Sequence, residues 1–233
     1  MKILAVDTAT RSCSVAIIDN NNLLAEMTTV REQTHSKHLM EMVDRVINVS
    51  GLTFLKLDGF AVTIGPGTFT GLRIGMSSIK GLAKASGKPV VGVSSLDALA
   101  MQVSLSQHLI CPLLDARKGE VYFSRYRYQD GCLKKKIEEQ VFPPEKAVHD
   151  LDEPCLFVGN GSLLYQHVIL AKLGNRAYFA PSYQNTIRAS TVAYMSIERF
   201  ENKDFDDVEV LAPQYIRKSD AELSFMKSPC ANS

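Results

Sequence analysis

The run Gly65-Pro66-Gly67-Thr68-Phe69-Thr70-Gly71-Leu72-Arg73-Ile74-Gly75 joins an apolar stretch, Phe60–Ile64, to a segment of helical period, Gly71–Ala85. Phe60–Ile64 has the length and content of a buried strand, and Pro89–Val93 beyond the helix has them again. Strand, glycine-rich loop, helix and strand make a parallel crossover, because parallel neighbours need a helix-length connection. Residues 65–75 therefore decide for an α/β fold. Backbone N–H groups at such a helix start lack internal partners and sit at the positive end of the helix dipole, so the loop can hold an anion. It is no Walker A sequence, since no Gly-Lys-Ser/Thr closes it. A tight turn that needs glycine for positive φ is the equal alternative.

Upstream, Ile3–Asp7, Ser14–Asp19 and Leu23–Thr28 are short apolar and β-branched segments, the last two joined by Asn20-Asn21-Asn22, which suits a hairpin. After His35 the period becomes helical: Leu39, Met40, Met42, Val43, Val46, Ile47 and Val49 spread over about half of a wheel at ~100° per residue. The order is βββαβαβ. Downstream, Leu109–Leu114, Glu120–Tyr128 and a segment after Asp130-Gly131 read as strands. They are followed by a helix from Pro144, strand Cys155–Val158, a helix near Ser162–Lys172, strand Ala177–Phe179 and helix Ala189–Glu201. Two successive βββαβα units predict a duplicated α/β fold, with subdomains 1–100 and 101–233 and a closing segment that could return to the first. The acidic stretch Glu201–Glu209 reads as a solvated connection before a closing strand and helix around Leu211–Phe225, and Ser228–Ser233 as a loose tail.

Composition narrows the function classes. The 233 residues are 45% hydrophobic and 22% charged, which excludes disorder, collagen and coiled coil. Lys plus Arg number 26 against 25 Asp plus Glu, so no global field draws the chain to nucleic acid or anionic lipid. Five cysteines without C-x-x-C spacing fit neither a disulfide scaffold nor a zinc knuckle, and no apolar run approaches the ~20 residues of a membrane span. With no signal-peptide core behind Met1, the expected home is the cytoplasm.

Individual residues offer chemistry more sparingly. Asp7 ends the first strand beside Thr8, Thr10, Ser12 and Ser14, where a carboxylate can hold Mg²⁺ near a phosphate or simply cap a turn. His35 and His38 could share one side of a helix start, yet no His or Cys follows until Cys111, so a metal set is not assembled. On the second helix, Gly71, Gly75, Ser78, Gly81 and Ala85 form a small-residue side beside the apolar Leu72, Met76, Ile79, Leu82 and Ala83. Interior glycines cost about 1 kcal/mol each relative to alanine, so close approach of another backbone, from a partner or from the chain's own sheet, is expected. Arg73, Ser77, Lys80 and Lys84 make a third side read as solvated. Arg117, Lys118, Arg125, Arg127 and Lys134–Lys136, with Tyr122, Tyr126 and Tyr128 interleaved, are an RNA-facing strip or a solvated hairpin. No Gly-x-Ser-x-Gly or other nucleophile signature occurs.

Taken together, MKILAVDTAT, Thr34-His35-Ser36, GPGTFTGLRIG, Val93–Ala98, LLDARKGEVYF and Ala212–Arg217 resemble the TsaB (YeaZ) family over nearly the whole chain. The resemblance implies an actin-like ATPase (ASKHA, ribonuclease H-like) fold. It also implies a noncatalytic subunit in the making of threonylcarbamoyladenosine next to the anticodon of tRNAs that read ANN codons. Its implied partners are the larger relative TsaD, which carries metal and active site on a His-x-x-x-His pair, the ATPase TsaE, and tRNA through the complex. A homodimer would form in the absence of TsaD. His35 and His38 have the wrong spacing for that catalytic pair. The expected partner surface comprises His35, Leu39, Met42, Val43, Val46, Phe69, Gly71, Leu72, Gly75, Met76, Ser78 and Ile79. No cofactor or metal is expected for the chain alone. ATP or ADP at a subunit boundary would meet Asp7, Gly65, Gly67, Thr68 and Arg73. The competing expectation is a small ASKHA phosphotransferase using Asp7 and the Gly65–Gly71 loop. A protease, suggested by the family's older glycoprotease label, has no nucleophile motif behind it.

Overall fold

The computed structural model describes residues 1–30 and 35–217. Its first half runs β1 (Lys2–Asp7), β2 (Ser12–Asp19), β3 (Asn22–Val30), α1 (Leu39–Val49), β4 (Gly59–Gly65), α2 (Phe69–Ser86), β5 (Val90–Ser94) and α3 (Ser95–Gln102). The second half runs β6 (Leu109–Arg117), β7 (Glu120–Gln129), β8 (Cys132–Phe142), α4 (Pro144–Ala147), β9 (Cys155–Val158), α5 (Asn160–Leu164), α6 (Gln166–Leu173), β10 (Ala177–Phe179) and α7 (Ala189–Glu201). The sheets are ordered β3-β2-β1-β4-β5 and β8-β7-β6-β9-β10, the same plan twice. In each, an antiparallel meander feeds parallel strands: β1 pairs antiparallel with β2 and parallel with β4, and β6 pairs likewise with β7 and β9. This is the duplicated α/β order expected from the sequence.

Both faces of the first sheet are apolar, as parallel strands covered on two sides require. Leu4, Val6, Val15, Ile17, Phe60 and Val62 point towards α1 and α2, where Leu39, Met42, Val43, Val46, Ile79 and Ala83 meet them. Ile3, Ala5, Ala16 and Ala61 point the other way into a core that also takes Leu99 of α3, Val192 and Phe200 of α7, and Ile110, Tyr126 and Val158 of the second sheet. That one continuous core joins the halves. The outer face of the second sheet closes over Ala147, Ile169 and Leu173. Helix α7, late in the chain, lies on the first sheet: an added Cβ at Gly59 would come within 2.2 Å of the Phe200 ring, and the Ala189 amide donates to Ser14 Oγ at 3.0 Å.

Three local expectations change. Ser95–Gln102 is a helix, because the Ser94 hydroxyl accepts from the Leu96 and Asp97 amides as an N-cap. The helix near Ser162–Lys172 is two, α5 and α6, divided at Tyr165. No closing strand occurs among the described residues: 207–217 run without regular pairing, and the part of the expected closing segment beyond residue 217 lies outside the described residues. Among the described residues no helix is long and apolar enough to cross a membrane.

Candidate functional site on the second helix

Helix α2 begins where the sequence concentrates its glycines, and the chain's own backbone fills the space they create. The Thr68 side chain caps the helix, accepting from the Gly71 amide at 3.2 Å, and the Thr68 amide donates to the Ala9 carbonyl at 2.7 Å. Thr8 Oγ1 donates to the Gly71 carbonyl at 2.8 Å. A Cβ at Gly67 would stand 2.4 Å from the Ala9 oxygen, at Gly71 2.0 Å from the Thr8 oxygen, and at Gly75 2.3 Å from Thr8 Oγ1. Close packing of the β1–β2 turn on the helix explains these glycines, and of the loop's glycines only Gly65 has the positive φ that the turn reading required. Gly65, with φ +123°, would bring a Cβ within 2.7 Å of the Gln214 carbonyl.

Asp7 is fully buried beneath this turn. Its Oδ1 accepts from the Thr63 hydroxyl at 2.8 Å and the Ala9 amide at 3.1 Å, while Oδ2 has no partner. Burial disfavours the carboxylate more than these bonds favour it, and the pKa is pushed from 3.8 up to about 7. Asp7 as an open ligand for Mg²⁺ is thereby corrected: the group is enclosed, and the Thr68 and Gly71 amides that would hold a phosphate are already bonded within the chain. In the lone chain Asp7 and the Thr68 amide are therefore engaged by the fold itself. Arg73 is held by the chain as well, its Nε donating to the Tyr215 hydroxyl at 2.9 Å.

The contact of Arg73 belongs to a strap, residues 206–217, laid along the side of α2 read from sequence as solvated. Lys80 Nζ donates to the carbonyls of Glu209 and Leu211 at 3.2 and 3.0 Å, and Lys84 pairs with Glu209 at 2.7 Å. Tyr215 stacks on Phe69 with ring centres 4.1 Å apart and planes 9° from parallel. No local periodicity signals contacts between residues this far apart in the chain.

The expected partner surface is corrected in the same way. Leu39, Met42, Val43, Val46, Gly71, Leu72, Gly75, Met76 and Ile79 are buried in the chain's own fold. Phe69 is half-buried under Tyr215, Ser78 is half-buried at the surface, and the His35 side chain lies outside the described residues. The small-residue side splits: Gly71 and Gly75 serve the chain's own turn, whereas a Cβ at Gly81 would meet nothing within 4 Å. What remains outward is a different strip. On α2 it consists of Ile74, Ser78, Gly81, Leu82 and Ala85, none of them buried. On α1 it is Met40, 47% exposed, and Ile47. Between the helices a groove of about 400 Å³ is lined by Met40, Ile47, Leu52, Phe54 and Leu82 with Asp44 and Asn48 at its edge.

The remaining candidates resolve structurally. His38 lies 3.8 Å from Glu41, and among the described residues no three His, Cys, Asp or Glu side chains gather as for a metal. Much of the basic strip is paired within the chain: Arg125 makes a two-pronged pair with Asp150 at 2.5 and 2.9 Å, Arg127 pairs with Glu153, Lys135 with Asp97 at 3.0 Å and Lys134 with Asp130 at 3.1 Å, while Lys136 reaches the neutral Gln129 side chain. Tyr122 and Tyr126 are buried, so they cannot stack on a base.

Relatives share both the sequence and this plan. The family profile described as TsaD: tRNA N6-adenosine threonylcarbamoyltransferase matches residues 22–225. The tRNA threonylcarbamoyladenosine biosynthesis protein TsaB of Bacillus subtilis is 32% identical, the alignment covering 98% of this chain and 99% of the relative. The crystal structure of YeaZ from Pseudomonas aeruginosa superimposes with a TM-score of 0.79 at 29% identity, covering 92% of this chain and 99% of that one. The activator of 2-hydroxyisocaproyl-CoA dehydratase from Clostridium difficile, at 10% identity, shares the fold alone, with a TM-score of 0.52 over 89% of this chain and 99% of that one. The duplicated sheets thus have the actin-like ATPase fold, and a match that covers nearly all of both chains places this one in the TsaB family.

Proposed function

We propose that this chain serves the formation of threonylcarbamoyladenosine in tRNA as a docking subunit in the cytoplasm, binding the larger relative TsaD through the α1–α2 strip and contributing no catalytic group. The observation that carries the reading is the strip itself. The cores behind α1 and α2 are already filled by Leu39, Met42, Val46 and Ile79, yet Met40, Ile47 and Leu82 still present apolar surface around a groove. Gly81 and Ala85 beside them allow close helix approach, which increases dispersion contact. A two-fold contact needs only self-complementarity, so the same strip supports a homodimer that TsaD displaces. TsaE and tRNA join through the complex in this reading. ATP or ADP at the boundary is held mainly by partner groups, since Asp7 and the Thr68 amide are engaged within the chain.

Titration of TsaD with the wild-type chain and with Ile47→Asp and Leu82→Asp tests the reading. Both variants are expected to fold normally and bind at least about tenfold more weakly, as central contacts of an interface do. Unchanged affinity in both removes the strip as the docking surface. Reconstituted tRNA modification that needs this chain at stoichiometric amounts supports the subunit role, and full activity without it ends that role.

A further inference from the structure

The strap is built unlike the rest of the fold. None of residues 207–217 is buried, Val210 is 74% exposed, and the Glu209 side chain that meets Lys84 is 71% exposed. Its attachments between Asp206 and Arg217 are polar and wet, apart from Val208, Leu211, Ile216 and the Tyr215 ring, which are partly covered. Segments with few buried apolar contacts and exposed backbone hydrogen bonds open below the global unfolding free energy. The ends are held more firmly: Asp206 accepts from the Gly92 amide at 2.7 Å, and Arg217 donates to the Ala116 carbonyl at 3.1 Å and pairs with Glu120 at 3.0 Å.

Lifting residues 209–215 leaves a defined set of groups on α2. Lys80 loses two carbonyl acceptors, Lys84 loses a carboxylate, Arg73 loses a hydroxyl, and Phe69 loses a stacked ring. Three cations and an aromatic face in a row along one helix side fit a backbone that turns over residues 208–210, bears a carboxylate there and, six residues later, an aromatic ring. That is the pattern of Glu209 and Tyr215.

We infer that the outer side of α2 is a seat for a peptide segment that bears a carboxylate and, six residues on, an aromatic ring, filled in the resting chain by its own residues 209–215 and open to a segment of the same chemistry from a partner protein when these lift. The seat is separate from the strip facing α1 and does not depend on what that strip binds.

The test uses a fluorescein-labelled peptide of residues 207–216 added to the full chain. In the wild type the tethered strap competes at high effective concentration, so binding is weak. In the Glu209→Ala/Tyr215→Ala chain the peptide is expected to bind at least about tenfold more tightly, because the tethered competitor is weakened. A peptide carrying Glu209→Lys and Tyr215→Ala should lose that binding, as should a receiving chain with Lys80→Glu and Lys84→Glu added. Amide exchange supplies the second readout: Gln214, whose amide donates to the Ile64 carbonyl at 2.7 Å, should exchange about a hundredfold faster than Val62 in the core. A Gln214 amide as slow as Val62 overturns the inference, and so does a loosened chain with intact core protection that fails to bind the peptide.

Discussion

The Thr8 hydroxyl donates to the Gly71 carbonyl across 2.8 Å, and the Thr8 carbonyl lies where a side chain on Gly71 would begin. This contact binds the β1–β2 turn to the first turn of α2. It explains why glycine stands at a helix position where it costs stability by itself.

Gly71→Ala is therefore expected to destabilise the fold by about 2 kcal/mol or more, since its Cβ would fall 2.0 Å from a backbone oxygen that cannot swing aside. Gly81→Ala, with open space around it, should instead stabilise by roughly 0.5–1 kcal/mol. Urea unfolding of the two variants checks the contrast, and equal effects would contradict it.

Asp7 sets a pH dependence. Because burial raises its folded-state pKa from 3.8 to about 7, the folded chain holds this proton more tightly than the unfolded chain does. The stability so gained is complete below 3.8 and lost as pH climbs to about 7, amounting to up to roughly 4 kcal/mol. Asp7→Asn should flatten that decline, measured as unfolding free energy at pH 5 and at about pH 8.

The buried and exposed faces of α1 should separate cleanly. Met42→Asp places a charge among Val15, Leu39 and Phe60 and is expected to cost roughly 3 kcal/mol or more. Gly75→Arg should likewise fail to fold, as its Cβ already meets Thr8. Ile47→Asp, at the groove, should leave the thermal midpoint nearly unchanged while weakening TsaD binding. A thermal midpoint lost in Ile47→Asp but kept in Met42→Asp would reverse the assignment of faces.

Arg125 is expected to matter for the second lobe and not for RNA. It holds the Asp150 pKa down to about 2, so the pair's contribution is present above 3.8 and lost as pH falls towards 2. Arg125→Gln should shrink the acid sensitivity of unfolding in that window and leave the complex's affinity for tRNA unchanged. A marked loss of tRNA affinity would restore the basic strip as a binding surface.

Local pattern carried much of the fold. The continuous apolar run Ile3–Val6, the strand-loop-helix grammar of residues 60–85 and the repeated βββαβα order were legible because each depends on neighbours a few residues apart. Helix α3 is written in Ser94-Ser95-Leu96-Asp97, whose first hydroxyl accepts from the Leu96 and Asp97 amides. The spare apolar surface was half legible: a helix with too wide an apolar arc announces it, but which arc is spare depends on what the sheet covers.

From its sequence alone, this chain determined its element types, its duplication and its family, since hydrophobic period and turn chemistry are local. Only the tertiary structure decided that Gly71 and Gly75 yield to Thr8 while Gly81 stays open. It alone neutralised Arg125 and Arg127 and laid the strap on Arg73, Lys80 and Lys84. The physical reason is that burial and charge pairing are set by groups brought together from distant parts of the chain, and no window along the sequence contains both members of such a pair.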